Sequence, residues 1–547
     1  MATRFPIVIA GQALEICAML KVVIGGTAAR EASEVAVKPT GLPSGVRDVT
    51  TATPAACRRK ARVNALSPCG EFSASGVVGE SLIRMFQSSR AGELFPGALP
   101  LVQCPTNIGQ AMIQTIDLRN LQPTRAELAR LVPRAAIDVA AATDAAAALI
   151  ADVRERGERA LLDQAERFDG VRPTRIRIHA DEVSGAVDAL LPEVREALET
   201  AIDRVRQATE AQVPPSTATV LAPGAEIVQR WQPVHRVGFY VPGGKAVYPS
   251  SVVMNVVPAL VAGVASVALA SPAQRQFAGS VHPTILGAAG LLGVDEIYAM
   301  GGAGAIGAFA YGVPGLNLDP VDMITGPGNV YVAAAKRLVR GTVGIDAEAG
   351  PTEILVIADA SASAQLVASD LVSQAEHDEL AAAVLVTDSP ELALAVTDEL
   401  MRIAASTPHS ERVLVSLAGQ QSAIVLVNDL VEAAVFSNAY GPEHLELQTA
   451  EPGIVLDMIE NAGAIFLGTD SPVSLGDYLA GSNHVLPTGG QSRFTSGLGA
   501  YTFLRAQQVI NYSHAALEAV GKQIMDLSTA EDLPAHGAAV TARFARS

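Results

Sequence analysis

The chain has 547 residues, of which 49% are hydrophobic and 17% charged, enough for roughly three or four domains of about 150 residues each. No uninterrupted apolar run reaches the ~18 residues that a membrane helix needs, and a net charge of −17 argues against the clustered Lys and Arg that non-specific nucleic-acid binding requires. Small-molecule chemistry in the cytoplasm remains as the expectation, with no nucleic acid and no membrane as partner.

Residues 1–111 stand apart from the rest. They hold 11 Lys and Arg against 7 Asp and Glu, leaving 28 against 49 for the remainder, and they contain all four cysteines, Cys17, Cys57, Cys69 and Cys104. From residue 112 onward there is therefore no disulfide, no thiolate metal site and no cysteine nucleophile. The stretch TGLPSGVRDVTTATPAACRRKARVNALSPCGEFSASG has neither a helical nor a strand period and reads as loop. An apolar run near the start is broken by Glu15 and Lys21, which makes it a poor signal-peptide core. Segment 1–111 is expected to be a poorly ordered extension with no part in the chemistry, and Met112 the functional beginning.

From 112 to about 215, runs such as AAALIADVRERGERALLDQAERF and EVREALETAIDRVRQATEAQV space apolar residues by three and four, which predicts helices covering a sheet. Beyond Trp231 the apolar runs become short, most of them bounded by Gly or Pro: RVGFYVPGG, SVALASP, EIYAMGG, VDMITGPGN, then EILVIAD, AAAVLVTD, SAIVLVND and AGAIFLG. Most precede a helix-like segment, the pattern of parallel α/β architecture. The fold expected is α/β, with two related, incomplete Rossmann-like parallel-sheet domains and helical appendages at both ends. Residues 112–239 supply a helical part and the start of the first α/β domain, and 240–351 the second, nucleotide-side domain. Residues 352–498 return to the first domain with the polar motifs, and 499–547 form a helical arm.

Three glycine loops follow predicted strands between 240 and 329. Gly302-Ala303-Gly304-Ala305-Ile306-Gly307 matches G-x-G-x-x-G after EIYAM, as a dinucleotide loop does. A tight strand-to-helix turn in an Ala- and Gly-rich chain explains the match equally well. With Tyr240-Val241-Pro242-Gly243-Gly244 and Gly326-Pro327-Gly328-Asn329, however, three loops offer backbone N–H groups near helix starts, where a pyrophosphate is favoured. No G-x-x-x-x-G-K-[ST] is present, so a dehydrogenase-type nucleotide is preferred to a P-loop triphosphate.

Four of the nine histidines lie in dense polar contexts: His377 in SQAEHD, His444 in YGPEHLE, His484 in GDYLAGSNHVLPT and His536 in AEDLPAHG. Gln374 and His377, three apart on a predicted helix, share a face. With cysteine excluded, a zinc site here must use nitrogen and oxygen ligands. Glu443 and His444 place a carboxylate beside an imidazole suited to general-base work near neutrality, although adjacent residues often point apart. A charged helical face and a coincidental surface pair are the bland alternatives for these motifs.

SQAEH, PEHLE, GDYLAGSNHVLPT, YVPGGKAVYPSSVVMNV, ITGPGNVYVAAAKR and AGPTEILVIAD together resemble the histidinol dehydrogenase family from about Met112 to the C-terminus. The resemblance implies an NAD-dependent zinc enzyme, in which L-histidinol is oxidised through L-histidinal to L-histidine at the end of histidine biosynthesis. It implies one Zn²⁺ per subunit on Gln374, His377, Asp477 and His536, with Thr352, His484, Glu531 and Glu443 also at the substrate. Glu443 and His444 would be catalytic, and Tyr240, Asn329 and the position of Gly304 would contact NAD. A homodimer is implied whose C-terminal arms cross, so that Glu531 and His536 complete the other subunit's site. Gly304 replaces a usual Gln, and Thr352 a usual Ser. Since the body has no cysteine, water must replace the thiolate that commonly serves aldehyde oxidation. Two other readings compete: a related zinc and NAD alcohol-to-acid dehydrogenase with another substrate, and a redox-inactive zinc hydrolase or binding protein.

Overall fold

The computed structural model describes residues 113–135, 139–243, 247–348 and 350–545; the expected extension 1–111 and Met112 lie outside them. In chain order the strands begin with β1 (Gln114–Asp117), β2 (Thr217–Ala222), β3 (Ala225–Pro233), β4 (Arg236–Tyr240), β5 (Ser266–Ser271), β6 (Ile297–Ala299), β7 (Met323–Thr325) and β8 (Gly344–Ile345). They continue with β9 (Glu353–Ala358), β10 (Ala382–Thr387), β11 (Ala423–Leu426), β12 (His444–Gln448), β13 (Ala464–Leu467) and β14 (Leu504–Tyr512). Helices that bear on the site are α1 (Val139–Arg156), α2 (Glu158–Phe168), α3 (Pro249–Ala262), α4 (Gly302–Tyr311), α5 (Val330–Val339), α6 (Ala364–Ala375), α7 (Val473–Tyr478), α8 (His514–Ala530) and α9 (Pro534–Phe544). No helix among the described residues is long and apolar enough to cross a membrane.

Two parallel sheets organise the chain. One has the order β1-β11-β10-β9-β12-β13, the other β6-β5-β4-β7-β8. Most of their strands are apolar runs because helices cover both faces; β1 (QTID) and β12 (HLELQ) are the polar exceptions. Along β9 the strand period sorts side chains between two cores: Ile354, Val356 and Ala358 pack with α6, while Leu355 and Ile357 pack on the opposite face with Phe436 and Tyr440. Each such Val, Leu or Ile side chain, fully withdrawn from water, contributes about 1.5–3 kcal/mol. Helix α3, PSSVVMNVVPALVA, is buried on nearly every side and ends at Gly263 in a left-handed cap. The chain starts the first sheet at β1, builds the second with α1 and α2 packed on its helices, and returns at β9.

The two sheets each contain a switch point. In one, β4 is followed outward by β5 and β6 on one side and by β7 and β8 on the other; in the other, β9 leads to β10 on one side and borders β12 on the other. Crevices at such reversals, beyond the carboxyl ends of the strands, are where open α/β sheets bind ligands.

The C-terminal region differs from the helical reading. Leu504–Tyr512 forms a nine-residue strand, antiparallel to β3 from Leu504 opposite Pro233 to Tyr512 opposite Ala225, with β2 on the far side of β3. The run LRAQQVINY carries no long apolar face of its own, and its pairing partner lies some 270 residues earlier, so nothing local marks it as a strand. Helices α8 and α9 follow, the first capped by Ser513 Oγ, which accepts from Ala516 N–H at 3.2 Å.

Candidate active site

A cavity of about 610 Å³ opens between the carboxyl ends of β4 and β7 and the amino ends of β9 and β12. From one side it is lined by Pro242, Ser250, Ser251 and residues 326–329; from the other by Thr352, His377, Glu443, His444, Asp477 and His484. The parallel pairing of β9 with β12, His444 opposite Ile354, brings residues some ninety positions apart to the same wall.

Glu443 and His444 are both buried, at 6% and 5% exposure, and both are held by the start of β9. Glu443 Oε2 accepts from Thr352 Oγ1 at 2.6 Å and from the Glu353 N–H at 2.9 Å. His444 Nδ1 lies 3.1 Å from the Glu353 carbonyl oxygen. A carbonyl only accepts, so Nδ1 carries the proton and Nε2 is left with its lone pair. Burial pushes Glu443 up to about 7, against the pull of His444, Thr352 and the Glu353 amide, while the Glu353 carboxylate adds to the rise. A buried carboxyl pushed towards neutrality beside an imidazole whose Nε2 faces no protein partner among the described residues has the composition that proton transfer needs.

Gln374 stands directly behind Thr352. Helix α6 ends at Ala375, so His377 lies in the turn just beyond rather than on the helix; its N–H bonds to the Gln374 carbonyl at 3.2 Å, which preserves the three-residue spacing. Thr352 commits its hydroxyl hydrogen to Glu443, so its lone pair takes the Gln374 Nε2–H at 2.5 Å. The amide is thereby oriented, and Gln374 Oε1 is buried without a donor. Leaving such an oxygen unsatisfied costs about 1–3 kcal/mol, and a cation would remove that cost. Burial also pushes His377 down, with Asp477 opposing, which favours the neutral imidazole that a metal binds. Amide oxygen, neutral imidazole and carboxylate suit a borderline divalent ion such as zinc. Among the described residues no three His, Cys, Asp or Glu side chains together could hold a metal. The set in one chain counts only His377 and Asp477 of those types, with Gln374 as a third donor.

His484 is fixed at both nitrogens: Nδ1 lies 2.9 Å from the Asp477 carbonyl and Nε2 lies 3.1 Å from Ser251 Oγ. Behind Ser251, Asn255 Nδ2 donates to the Ser251 carbonyl at 2.7 Å and Thr325 Oγ1 donates to Asn255 Oδ1 at 2.7 Å. This polar line runs from the end of β7 through α3 to the cavity.

Five expected residues are not on the cavity wall: Gln374, which stands behind Thr352, and four others. Tyr240 points into the helical core on the face of β4 opposite Phe239, and its hydroxyl accepts the Gly302 N–H at 3.1 Å. Gly304 faces α2, where a Cβ would collide with Gln164 Oε1, and a Cβ at Gly307 would press on Ile150 of α1. In this structure the G-x-G-x-x-G glycines serve the turn and close helix packing, not an open phosphate cradle. Glu531 and His536, on the C-terminal arm, are exposed and do not line the cavity. Asn329 does line it, and its Oδ1 caps α5 by accepting from Tyr331 N–H at 3.0 Å and Val332 N–H at 3.2 Å.

Sequence reading missed Glu353, Arg134 and Ser251. Arg134 Nε meets Glu353 Oε2 at 2.8 Å, its Nη2 donates to the Tyr440 carbonyl at 2.8 Å, and its guanidinium lies 3.7 Å over the Tyr440 ring. A carboxylate opening the otherwise apolar run EILVIA was the available signal for Glu353; nothing local marked Arg134.

A family profile described as histidinol dehydrogenase matches residues 132–544. The chain is 68% identical over 432 residues to a histidinol dehydrogenase from Leifsonia xyli subsp. xyli, covering 79% of this chain and 99% of that one. It is 55% identical over 434 residues to a histidinol dehydrogenase from Mycolicibacterium smegmatis, with 79% and 98% covered. The crystal structure of histidinol dehydrogenase from Elizabethkingia anophelis superposes with a TM-score of 0.74 at 31% identity, covering 79% of this chain and 98% of that one.

Proposed function

The chain belongs to the histidinol dehydrogenase family, and on that premise we propose that it oxidises L-histidinol through L-histidinal to L-histidine, consuming two NAD and one water in one cavity. The observation that carries this reading is the meeting of Gln374 and Glu443 on the Thr352 hydroxyl, which joins a candidate metal ligand to the proton-transfer pair. Gln374, His377, Asp477 and His536 of a second copy would hold a zinc ion, whose contribution would be to orient the substrate. NAD would accept the hydride in both oxidations, on the side of the cavity formed by residues 326–329 and Asn329. Tyr240 and Gly304 stand behind that wall.

The chain's own residues account for the protons. His444 Nε2 takes the alcohol proton as hydride leaves the carbinol carbon, giving the aldehyde. Glu443, as carboxylate, takes a proton from water as its oxygen adds to the aldehyde carbon, while protonated His444 gives its proton to the former aldehyde oxygen, so that the gem-diol carries both hydroxyls and His444 is again a base. His444 then removes a gem-diol proton as the second hydride leaves, and the acid is formed. No cysteine follows residue 104, so the route through water is the one the residues support.

The exposed placement of Glu531 and His536 supports a homodimer in which α8 and α9 cross to complete the partner's cavity. Val220, Leu221 and Ile510 are 70%, 56% and 68% exposed on the β2-β3-β14 sheet, apolar surface suited to that association. A cytoplasmic location would fit its biosynthetic substrate. The test is direct: L-histidinol with NAD yields NADH, a chelator stops it and added zinc restores it. Absence of NADH with zinc-loaded protein would overturn the proposal.

A further inference from the structure

Lys336 is 2% exposed in the second turn of α5. An ammonium is withdrawn from water only where its charge and donors are met, and here both are met at one point. Nζ forms an ion pair with Asp346, just after β8, and donates to the Gly326 carbonyl at 3.1 Å. Asp346 Oδ2 in turn accepts the Gly326 N–H at 2.8 Å. The cation thus holds one polar group of Gly326 and the anion the other. Gly326 has φ of +116°, and a Cβ there would collide with the Tyr240 carbonyl oxygen at the end of β4.

We propose that the buried Lys336–Asp346 pair is a positioning device for the nucleotide loop, setting both peptide planes at Gly326 and so aiming the backbone of residues 326–329 into the cavity. The inference rests on the nucleotide reading above and adds residues to it. Lys336 does not line the cavity, so it acts through Gly326, whereas its partner Asp346 does line it, and Asp346→Asn alone is the control for any direct contact of that carboxylate with NAD. At the other end of the loop Asn329 caps the same helix that carries Lys336, and the loop and the start of α5 are held as one unit. An apolar side chain could fill the volume of Lys336, but it could not orient a carbonyl; a pair of opposite charges sets a register that packing alone leaves loose.

The test compares wild type with Lys336→Met, and with Lys336→Met combined with Asp346→Asn, all as zinc-loaded full-length protein. The double variant leaves no unpaired ion in the interior, and the amide oxygen introduced at position 346 would keep an acceptor for the Gly326 N–H, so it decides the matter if the single variant does not fold. Loss of loop placement is expected to raise the NAD Kd and KM by about tenfold to a hundredfold, while the L-histidinol KM and bound zinc stay at wild-type values. NAD affinity equal to wild type in the folded variants overturns the proposal, and so does a parallel rise in both KM values, which marks a merely structural role. Wild-type protein that binds no NAD at all overturns the nucleotide reading itself and this proposal with it.

Discussion

Burial raises Glu443 to about 7 from an ordinary 4.5, and this shift acts in opposite directions on activity and stability. As the base that takes a proton from water, Glu443 must be ionised, so the aldehyde-oxidising step is expected to fall off below about pH 7. For stability the folded state holds a proton that the unfolded state releases. The contribution is complete below about pH 4.5 and is lost as pH rises through about 7. Glu443→Gln keeps an acceptor for Thr352 and the Glu353 amide but cannot ionise. At pH 8 it is expected to be more stable than wild type by on the order of 1–3 kcal/mol, seen as a higher midpoint in thermal unfolding, and to lose conversion of L-histidinal. His444→Asn removes the Nε2 base and is expected to lower turnover at least about a hundredfold with zinc content unchanged by metal analysis. Zinc loss in that variant would make His444 a ligand instead of a base.

At the scale of elements, the site depends on where strands begin and end. Gly326 carries the chain from β7 over the end of β4, and Gly326→Ala is expected to cost on the order of 3 kcal/mol, because the new Cβ meets the Tyr240 carbonyl at a positive φ. A denaturant midpoint close to wild type would show that the crossing relaxes more readily than the geometry implies. Eight strands of the two parallel sheets are legible in the sequence because burial on two faces writes them as short apolar runs closed by Gly, Pro or Asp, whereas β1 (QTID) and β8 (GI) carry no such run. β12 reads as a polar motif, since its HLELQ keeps Glu446 and Gln448 fully inside, and β14 reads as part of a helical arm because only its pairing with β3 makes it a strand. Similar reasons divide the site. Motif residues clustered in sequence stand out from composition, whereas Arg134, Glu353 and Ser251 act through contacts that no spacing encodes. The glycine fingerprint shows the reverse case, where a correct pattern is spent on helix packing at Gln164 and Ile150.

For the molecule as a whole, the proposed ligands are divided between the neighbourhood of the cavity and an exposed arm. If the arms cross, protein carrying His444→Asn and protein carrying His536→Ala are each inactive, yet dimers mixed from the two hold one intact site. Statistical exchange is expected to restore about a quarter of wild-type activity, and no recovery after verified subunit exchange would place His536 in its own chain's site. The account stands most directly on the number of electrons one cavity removes from one substrate. With limiting L-histidinol, excess NAD and zinc-loaded enzyme, absorbance at the NADH band should reach about two NADH per substrate with L-histidine as product; a plateau at about one, with aldehyde accumulating, would contradict it.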